Sequence, residues 1–357
     1  MTTLPLPETA LQASAPAPRS LVIAPQWIGD AIMTEPLLRR LAVRGEVLTV
    51  VALPWVAPVY RAMPQVAEVI EAAFAHGGLQ WRARRALARQ LKGRFDSAYV
   101  CPNSFKSALV PWWAGIARRV GYLGEFRHGL LTDTLPNPHD RGAMVPFYSA
   151  LAGTTADTSP EVDEQPRLQL TVEQVIGTLA TLELRRNAYF VVAPGAEYGP
   201  AKRWPASHFA TLIRQLPAPA VLLGSSKDAD ICAQISADVN RHLPGQCSSL
   251  AGKTSLDQAL SVIAAARCVI SNDSGLMHVA AALGVRQVAI FGSSSPEHTP
   301  PLSPLAQVLW LRNDRSYQPP LDCAPCFKRS CPLGHTRCLE DIQPARVHQA
   351  LQTAGVL

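Results

Sequence analysis

Residues 271–284 read SNDSGLMHVAAALG, and the apolar run Cys268-Val269-Ile270 precedes them. A buried segment therefore stops at Asn272-Asp273-Ser274-Gly275 and turns apolar again at a different period. Leu276, Val279, Ala280 and Leu283 stand at i, i+3, i+4 and i+7, one face of a helix. Asp273 or Ser274 suits the helix start and Gly284 its end. The reading is strand, tight turn, helix. Such a turn leaves backbone N–H groups at the positive end of a helix dipole, and Gly275 lets a ligand approach. That arrangement suits a phosphate. An ordinary capped turn has the same sequence, so the rest of the chain must decide.

The pattern recurs on both sides. LVIA (21–24), VLTVVAL (47–53) and SAYVC (97–101) read as strands, with helices from about Ala31 to Arg44, after residue 53 and from about Ser104. Residues 154–168 are polar, carry Pro160 and Pro166, and read as a linker. The alternation then restarts at 189–195, 220–225, 266–271 and 287–293. Alternating strands and helices predict parallel sheets covered on both faces. The fold class is α/β: two facing Rossmann-like domains with a cleft between them. The expected division is a disordered tail over 1–18, an N-terminal domain over 19–153 and a linker region over 154–186. A C-terminal domain over 187–340 and a helix over 341–357 follow. The first half has no GxGxxG, which argues against an ordinary dinucleotide dehydrogenase. The polar clusters APQWIGDAI, CPNSFKSA, PGAEYGPAKRWP, GSSKDAD, SNDSGLMH and GSSSPEHTPP each follow a predicted strand. Ligands of doubly wound sheets sit at those carboxyl ends.

The length of 357 residues fits two cores, and 48% hydrophobic with 17% charged residues fits a well-buried protein. No apolar run is long enough to span a bilayer. The first 18 residues lack the basic start and apolar stretch of a secretory signal, so a cytoplasmic protein is expected. A net charge of +6 favours an anionic partner, or serves solubility alone. In WRARRALARQLKGRF, Ala83, Leu87 and Leu91 share one helix face, and Arg82, Arg85, Arg89 and Lys92 another. With Trp112-Trp113 and Arg118-Arg119 downstream, this points to a substrate at the membrane surface. A solvated helix face is the plainer reading. Nucleic acid is not an expected partner, because the basic residues lie far in sequence from the cysteine cluster and would leave the strand-end motifs unexplained.

Among the cluster residues, Asp30 begins the first helix as a cap or as a general base at the cleft edge. Lys202 and Arg203 lie in a loop held by Gly195, Gly199, Pro200 and Pro205, and suit the charge of a departing phosphate. Asp273 is a second base candidate or a cap. His278, one turn past Ser274, reaches a phosphate or sits satisfied in the core. Asp228 follows a strand end where an acid would meet ribose hydroxyls, or starts a helix. A phosphate-rich ligand on the second domain and an acid on the first form the layout of a nucleotide-sugar transferase.

The stretches WIGDAIMTEPLLRRL, CPNSFKSALVP, PGAEYGPAKRWP, NDSGLMHVAAALG and FGSSSPEHTPPLSP, in this order from about residue 21 to 350, also carry a family likeness. The chain resembles the lipopolysaccharide heptosyltransferases of glycosyltransferase family 9, and among them the branch that adds the second heptose. The resemblance implies a GT-B fold and inverting transfer of L-glycero-D-manno-heptose from ADP-heptose to the first heptose on Kdo2-lipid A. It implies catalysis by Asp30 and Lys202. Gly195, Lys202, Arg203, Asp228, Asp273, Ser274, Gly275 and His278 would bind the donor. Asn103, Ser104 and Lys106 would face the acceptor. It further implies peripheral contact with the cytoplasmic face of the inner membrane and no cofactor required for catalysis. The branch adding the first heptose, or a family 9 transferase with another acceptor, is the alternative; NSFKSALVP favours the second-heptose branch.

Eight cysteines remain to be placed. Cys101, Cys232, Cys247 and Cys268 read as small buried apolar residues. Cys323, Cys326, Cys331 and Cys338 form C-x2-C-x4-C-x6-C, with His335 inside. The spacing is read as a structural zinc site, with later gaps tighter than in common zinc modules; reduced thiols or a disulfide are the alternatives.

Overall fold

The computed structural model describes residues 16–74, 78–139, 141–153 and 163–357. Most of the expected tail, and 154–162 of the expected linker, lie outside them. Two six-stranded sheets form, and every pairing is parallel. The first contains β1 (Arg19–Ile23), β2 (Val47–Ala52), β3 (Val66–Glu71), β4 (Ser97–Val100), β5 (Arg118–Tyr122) and β6 (Asp133–Leu135), ordered β3-β2-β1-β4-β5-β6. The second contains β7 (Phe190–Ala193), β8 (Ala220–Leu222), β9 (Cys247–Ser249), β10 (Cys268–Asn272), β11 (Gln287–Ile290) and β12 (Ala306–Leu309), ordered β12-β11-β10-β7-β8-β9. Both sheets have the doubly wound order, so each reverses direction once: between β1 and β4, and between β7 and β10. A crevice opens at the carboxyl end of each reversal.

The central strands are buried and mostly apolar because helices cover both of their faces. β7 and β11 are fully buried along their length. One buried cluster runs from Leu37, Val50 and Tyr60 in the first domain to Val262, Ile263 and Val279 in the second. The domains therefore share apolar packing as well as a cleft.

Three expectations need correction. The 154–186 region is not only a linker: Thr171 caps the helix Val172–Thr181 in a reciprocal box with Gln174. That helix packs on Leu256–Ala264 of the second domain. Arg118 and Arg119 are not a free basic patch beside the tryptophans. They begin β5, where Arg118 Nε donates to Asp133 at 2.7 Å and Arg119 Nε to the Leu130 carbonyl at 2.6 Å. In the helix Trp81–Leu91, Ala83 faces solvent and Arg84 is buried beside Leu87, Ala88 and Leu91. Arg82, Arg85 and Arg89 are exposed as expected. The final helix, Pro344–Thr353, buries Val347 and Leu351 in the second domain's core. Among the described residues, no helix is long and apolar enough to cross a membrane.

Candidate active site

The helix Ile28–Met33 follows β1, and the helix Gly275–Ala282 follows β10. The two pack on each other across the cleft. Their approach is so close that only glycine fits: a Cβ on Gly29 would stand 2.8 Å from His278 Cδ2, and one on Gly275 2.9 Å from Ile28 Cβ. Two strand-end motifs from opposite domains thus meet directly, and Asp30 lies beside this contact.

Asp30 Oδ1 accepts a 2.8 Å hydrogen bond from the Tyr148 hydroxyl. Burial raises the Asp30 carboxyl above its ordinary value, while Tyr148 and the charges of His298, Arg141 and Lys202 oppose the rise. A carboxylate held in this way is a suitable proton acceptor. Ser274 is the N-cap of its helix, yet its side chain makes no capping bond, contrary to the simple cap reading. Asp273 makes an ion pair instead, 2.5 Å from Lys202 Nζ, with only 5% of its side chain exposed. The hydroxyls of Ser271, Ser274, Ser293 and Ser294 are buried and have no partner. Ser271 lies near the end of β10, Ser274 just after it, and Ser293 and Ser294 just after β11. The uncapped N–H groups at the Gly275 helix start, at the same end of β10, suit phosphate oxygens. Burial lowers the His278 imidazole to about 4, Asp273 opposing and Lys202 adding, so it is neutral near pH 7.

The loop after β7 is held from outside. The Ala201 N–H donates to the Arg329 carbonyl at 3.1 Å, and a Cβ on Gly199 would lie 2.4 Å from that same oxygen. The Tyr198 hydroxyl donates to the Phe327 carbonyl at 2.8 Å, and the Phe327 N–H to the Ser293 carbonyl at 2.8 Å. The cysteine segment is therefore the backing of the Lys202 loop. Its four thiols are free. Burial raises Cys338 to about 12, with neighbouring Cys323, Cys326 and Cys331 adding. Burial also acts to raise Cys331, but the N–H groups of Thr336, Leu333, His335 and Gly334 outweigh it and lower that thiol. Among the described residues, no group of three or more His, Cys, Asp or Glu side chains is arranged to hold a metal ion.

Asp228 occupies the helix-start position, the second of its two readings. Its Oδ2 accepts from the Ser225 N–H at 3.0 Å and hydroxyl at 2.8 Å, and Arg203 lies 3.7 Å from Oδ1. It is buried against Gly195 and Gly224, where a Cβ on Gly195 would stand 2.4 Å from the carboxylate. This acid fastens its own turn.

On the first domain, Ser104 and Lys106 line a pocket with Gln26, Phe74 and Arg84 at the ends of β1, β2 and β4. Arg84 stacks 4.0 Å from the Phe74 ring centroid, and its Nε donates to the Leu79 carbonyl at 2.9 Å. Asn103 faces elsewhere, toward Asn137 and the buried Arg127, each at 3.4 Å. The sequence reading missed Tyr148, Arg141, His298, Arg84 and the Ser293–Ser295 hydroxyls. Of these, only GSSSPEHTPP had been marked, as a strand-end cluster.

The family model for glycosyltransferase family 9 (heptosyltransferase) matches residues 84–337. Lipopolysaccharide heptosyltransferase 2 of Escherichia coli K12 is 42% identical over 346 residues, covering 93% of this chain and 97% of that protein. Lipooligosaccharide heptosyltransferase 2 of Haemophilus ducreyi is 37% identical, covering 93% and 97%. The solved structure of E. coli ADP-heptose LPS heptosyltransferase II is 38% identical, with a TM-score of 0.79, covering 94% of this chain and 98% of that one.

Proposed function

The chain belongs to glycosyltransferase family 9 and has the GT-B architecture, and from that premise we propose that it is an inverting ADP-heptose:lipopolysaccharide heptosyltransferase of the second-heptose branch. Its donor is ADP-heptose and its acceptor the first heptose of the inner core on Kdo2-lipid A. The enzyme works at the cytoplasmic face of the inner membrane. The exposed Arg82, Arg85 and Arg89 support contact with acidic head groups there.

One observation carries the mechanism: the helix that carries Asp30 in one domain packs directly on the helix that follows Asp273, the ion-pair partner of Lys202, in the other, across a Gly29–His278 contact. The acceptor hydroxyl oxygen attacks the anomeric carbon. Its proton passes to Asp30, the bond from the anomeric carbon to the phosphate oxygen breaks, and ADP departs with the electron pair. The configuration inverts through an oxocarbenium-like state, as in related glycoside chemistry. Lys202, the Gly275 helix start and the buried serines take up the growing diphosphate charge. Gly195 and Arg203 shape the same loop. Asp273 holds Lys202 in place, and neutral His278 fills the interdomain contact. Ser104 and Lys106 face the acceptor's acidic sugars, with Asn103 at the edge of that surface. With charge handled by protein groups, the reaction needs no metal cofactor, and turnover should persist in a strong chelator.

The test is transfer from ADP-heptose to heptosyl-Kdo2-lipid A by the wild type and by Asp30→Asn. The variant should bind ADP normally and lose turnover by about a hundredfold or more. Equal turnover in both would remove Asp30 from the mechanism. Activity only on Kdo2-lipid A lacking heptose would move the enzyme to the first-heptose branch.

A further inference from the structure

Tyr148 is buried, and its hydroxyl is the one side-chain hydrogen-bond donor to Asp30 among the described residues. Its helix, Met144–Ser149, is tied down on two sides. Inside the first domain, Phe147 stacks on Tyr122 at 3.9 Å, and the Tyr122 hydroxyl donates to the Phe147 carbonyl at 2.6 Å. At its start, the Met144 N–H donates to the His298 carbonyl at 3.0 Å, and His298 Nδ1 lies 2.5 Å from the Gly142 carbonyl. His298 belongs to the second domain, in the segment carrying the unpartnered Ser293 and Ser294. The phenol thus reaches Asp30 from a helix that both domains hold.

We propose that Tyr148 is a positioning residue for the reaction, holding Asp30 by Oδ1 so that Oδ2 faces the acceptor hydroxyl. This rests on Asp30 being the base. A fixed donor to one oxygen limits carboxylate rotation and favours the charged form. The other groups around Asp30 are the basic side chains His298, Arg141 and Lys202, and on the inner side Tyr60 and Cys101, with His278 packed against Gly29. None of these donates a side-chain hydrogen bond to Asp30. Loss of the Tyr148 hydroxyl therefore leaves the carboxylate desolvated and without its anchor.

The experiment is the pH profile of kcat/KM for heptose transfer, with ADP affinity measured by calorimetry. Tyr148→Phe keeps the ring and removes the donor. It should move the acid limb to higher pH and lower kcat by about tenfold, with ADP affinity unchanged. Replacement of Tyr148 by 3-fluorotyrosine gives a stronger donor of nearly the same shape. It should move the acid limb to lower pH, and it decides the question even if the phenylalanine variant folds poorly. An acid limb unmoved in both variants, or moved upward by the fluorinated ring, overturns the proposal. Asp30→Asn separates the two readings. If it retains turnover, the base assignment fails and takes this proposal with it. If it is inactive while the limb stays fixed, only the role of Tyr148 falls.

Discussion

Lys202 offers the most direct dissection of the site, because its partner is known and nearly buried. Lys202 Nζ stands 2.5 Å from Asp273 Oδ2, with the two side chains 19% and 5% exposed. In Lys202→Met, the Asp273 carboxylate stays in place without its counter-charge. Breaking a buried pair in this way costs about 3–5 kcal/mol, and the partial exposure of the lysine puts this case near the lower figure. The unfolding temperature should then fall by several degrees. Asp273→Asn added to Lys202→Met removes the stranded charge and should restore most of that loss. Turnover should behave otherwise. The cation facing the departing diphosphate is worth about 10²–10³ in kcat, and the double variant still lacks it. Calorimetric unfolding beside kcat for wild type, single and double variants therefore separates the two roles. Recovery of turnover in the double variant would reduce Lys202 to a structural partner of Asp273. Wild-type stability in the single variant would refute the energetic reasoning itself.

Other consequences follow from the same geometry. Gly29→Ala places a Cβ 2.8 Å from His278 Cδ2, so the interdomain contact must give; a stability loss of about 1–3 kcal/mol is expected, relieved in Gly29→Ala/His278→Ala, as read by chemical denaturation. His278 is depressed to about 4 in the folded protein against an unfolded value of 6.5, so the unfolded chain binds the extra proton between these values. Stability should therefore fall as pH drops through that window, by up to about 1.4 kcal/mol per pH unit, and His278→Gln should flatten the slope. Arg84→Ala removes a side chain that stacks on Phe74 and holds the Leu79 and Lys106 carbonyls; KM for the acceptor should rise with ADP affinity unchanged. Under a limiting maleimide, Cys331 should label first, and buried Cys101, Cys232, Cys247 and Cys268 not at all, as peptide mass mapping would show.

The central strands were legible because burial on both faces leaves a continuous apolar run. β3, β6, β9 and β12 were not. They lie at or near the sheet edges, and sequences such as Asp133-Thr134-Leu135 or Cys247-Ser248-Ser249 pair by backbone without an apolar stripe. β5 hid behind its two leading arginines. Asp30, Lys202, Asp273 and His278 were visible because they follow β1, β7 and β10, three of the four strands at the reversal points. Arg84 was missed because a helix wheel sorts arginine outward, and one residue of phase error exchanged it with Ala83. The helix-start alternative for Asp228 was legible, since Ser225 three residues earlier makes a reciprocal cap with it.

The cysteine segment also acts on the site in a way that residue spacing does not show. Its four thiols suggested a metal, a property of side chains. What the segment does for the site lies in its main chain: the Arg329 carbonyl receives Ala201, and the Phe327 amide grips Ser293. One loop thereby touches both the Lys202 loop after β7 and the serine loop after β11. These are the two loops proposed to hold the diphosphate, so any change that shifts this segment alters both together. The same reasoning applies to Tyr148 and His298. Each works through contacts that join distant segments at the domain boundary, and no local period or cap marks such residues in a single chain. Residues at strand ends declare themselves by position, whereas those that hold the two domains in register become visible only when the sheets face each other.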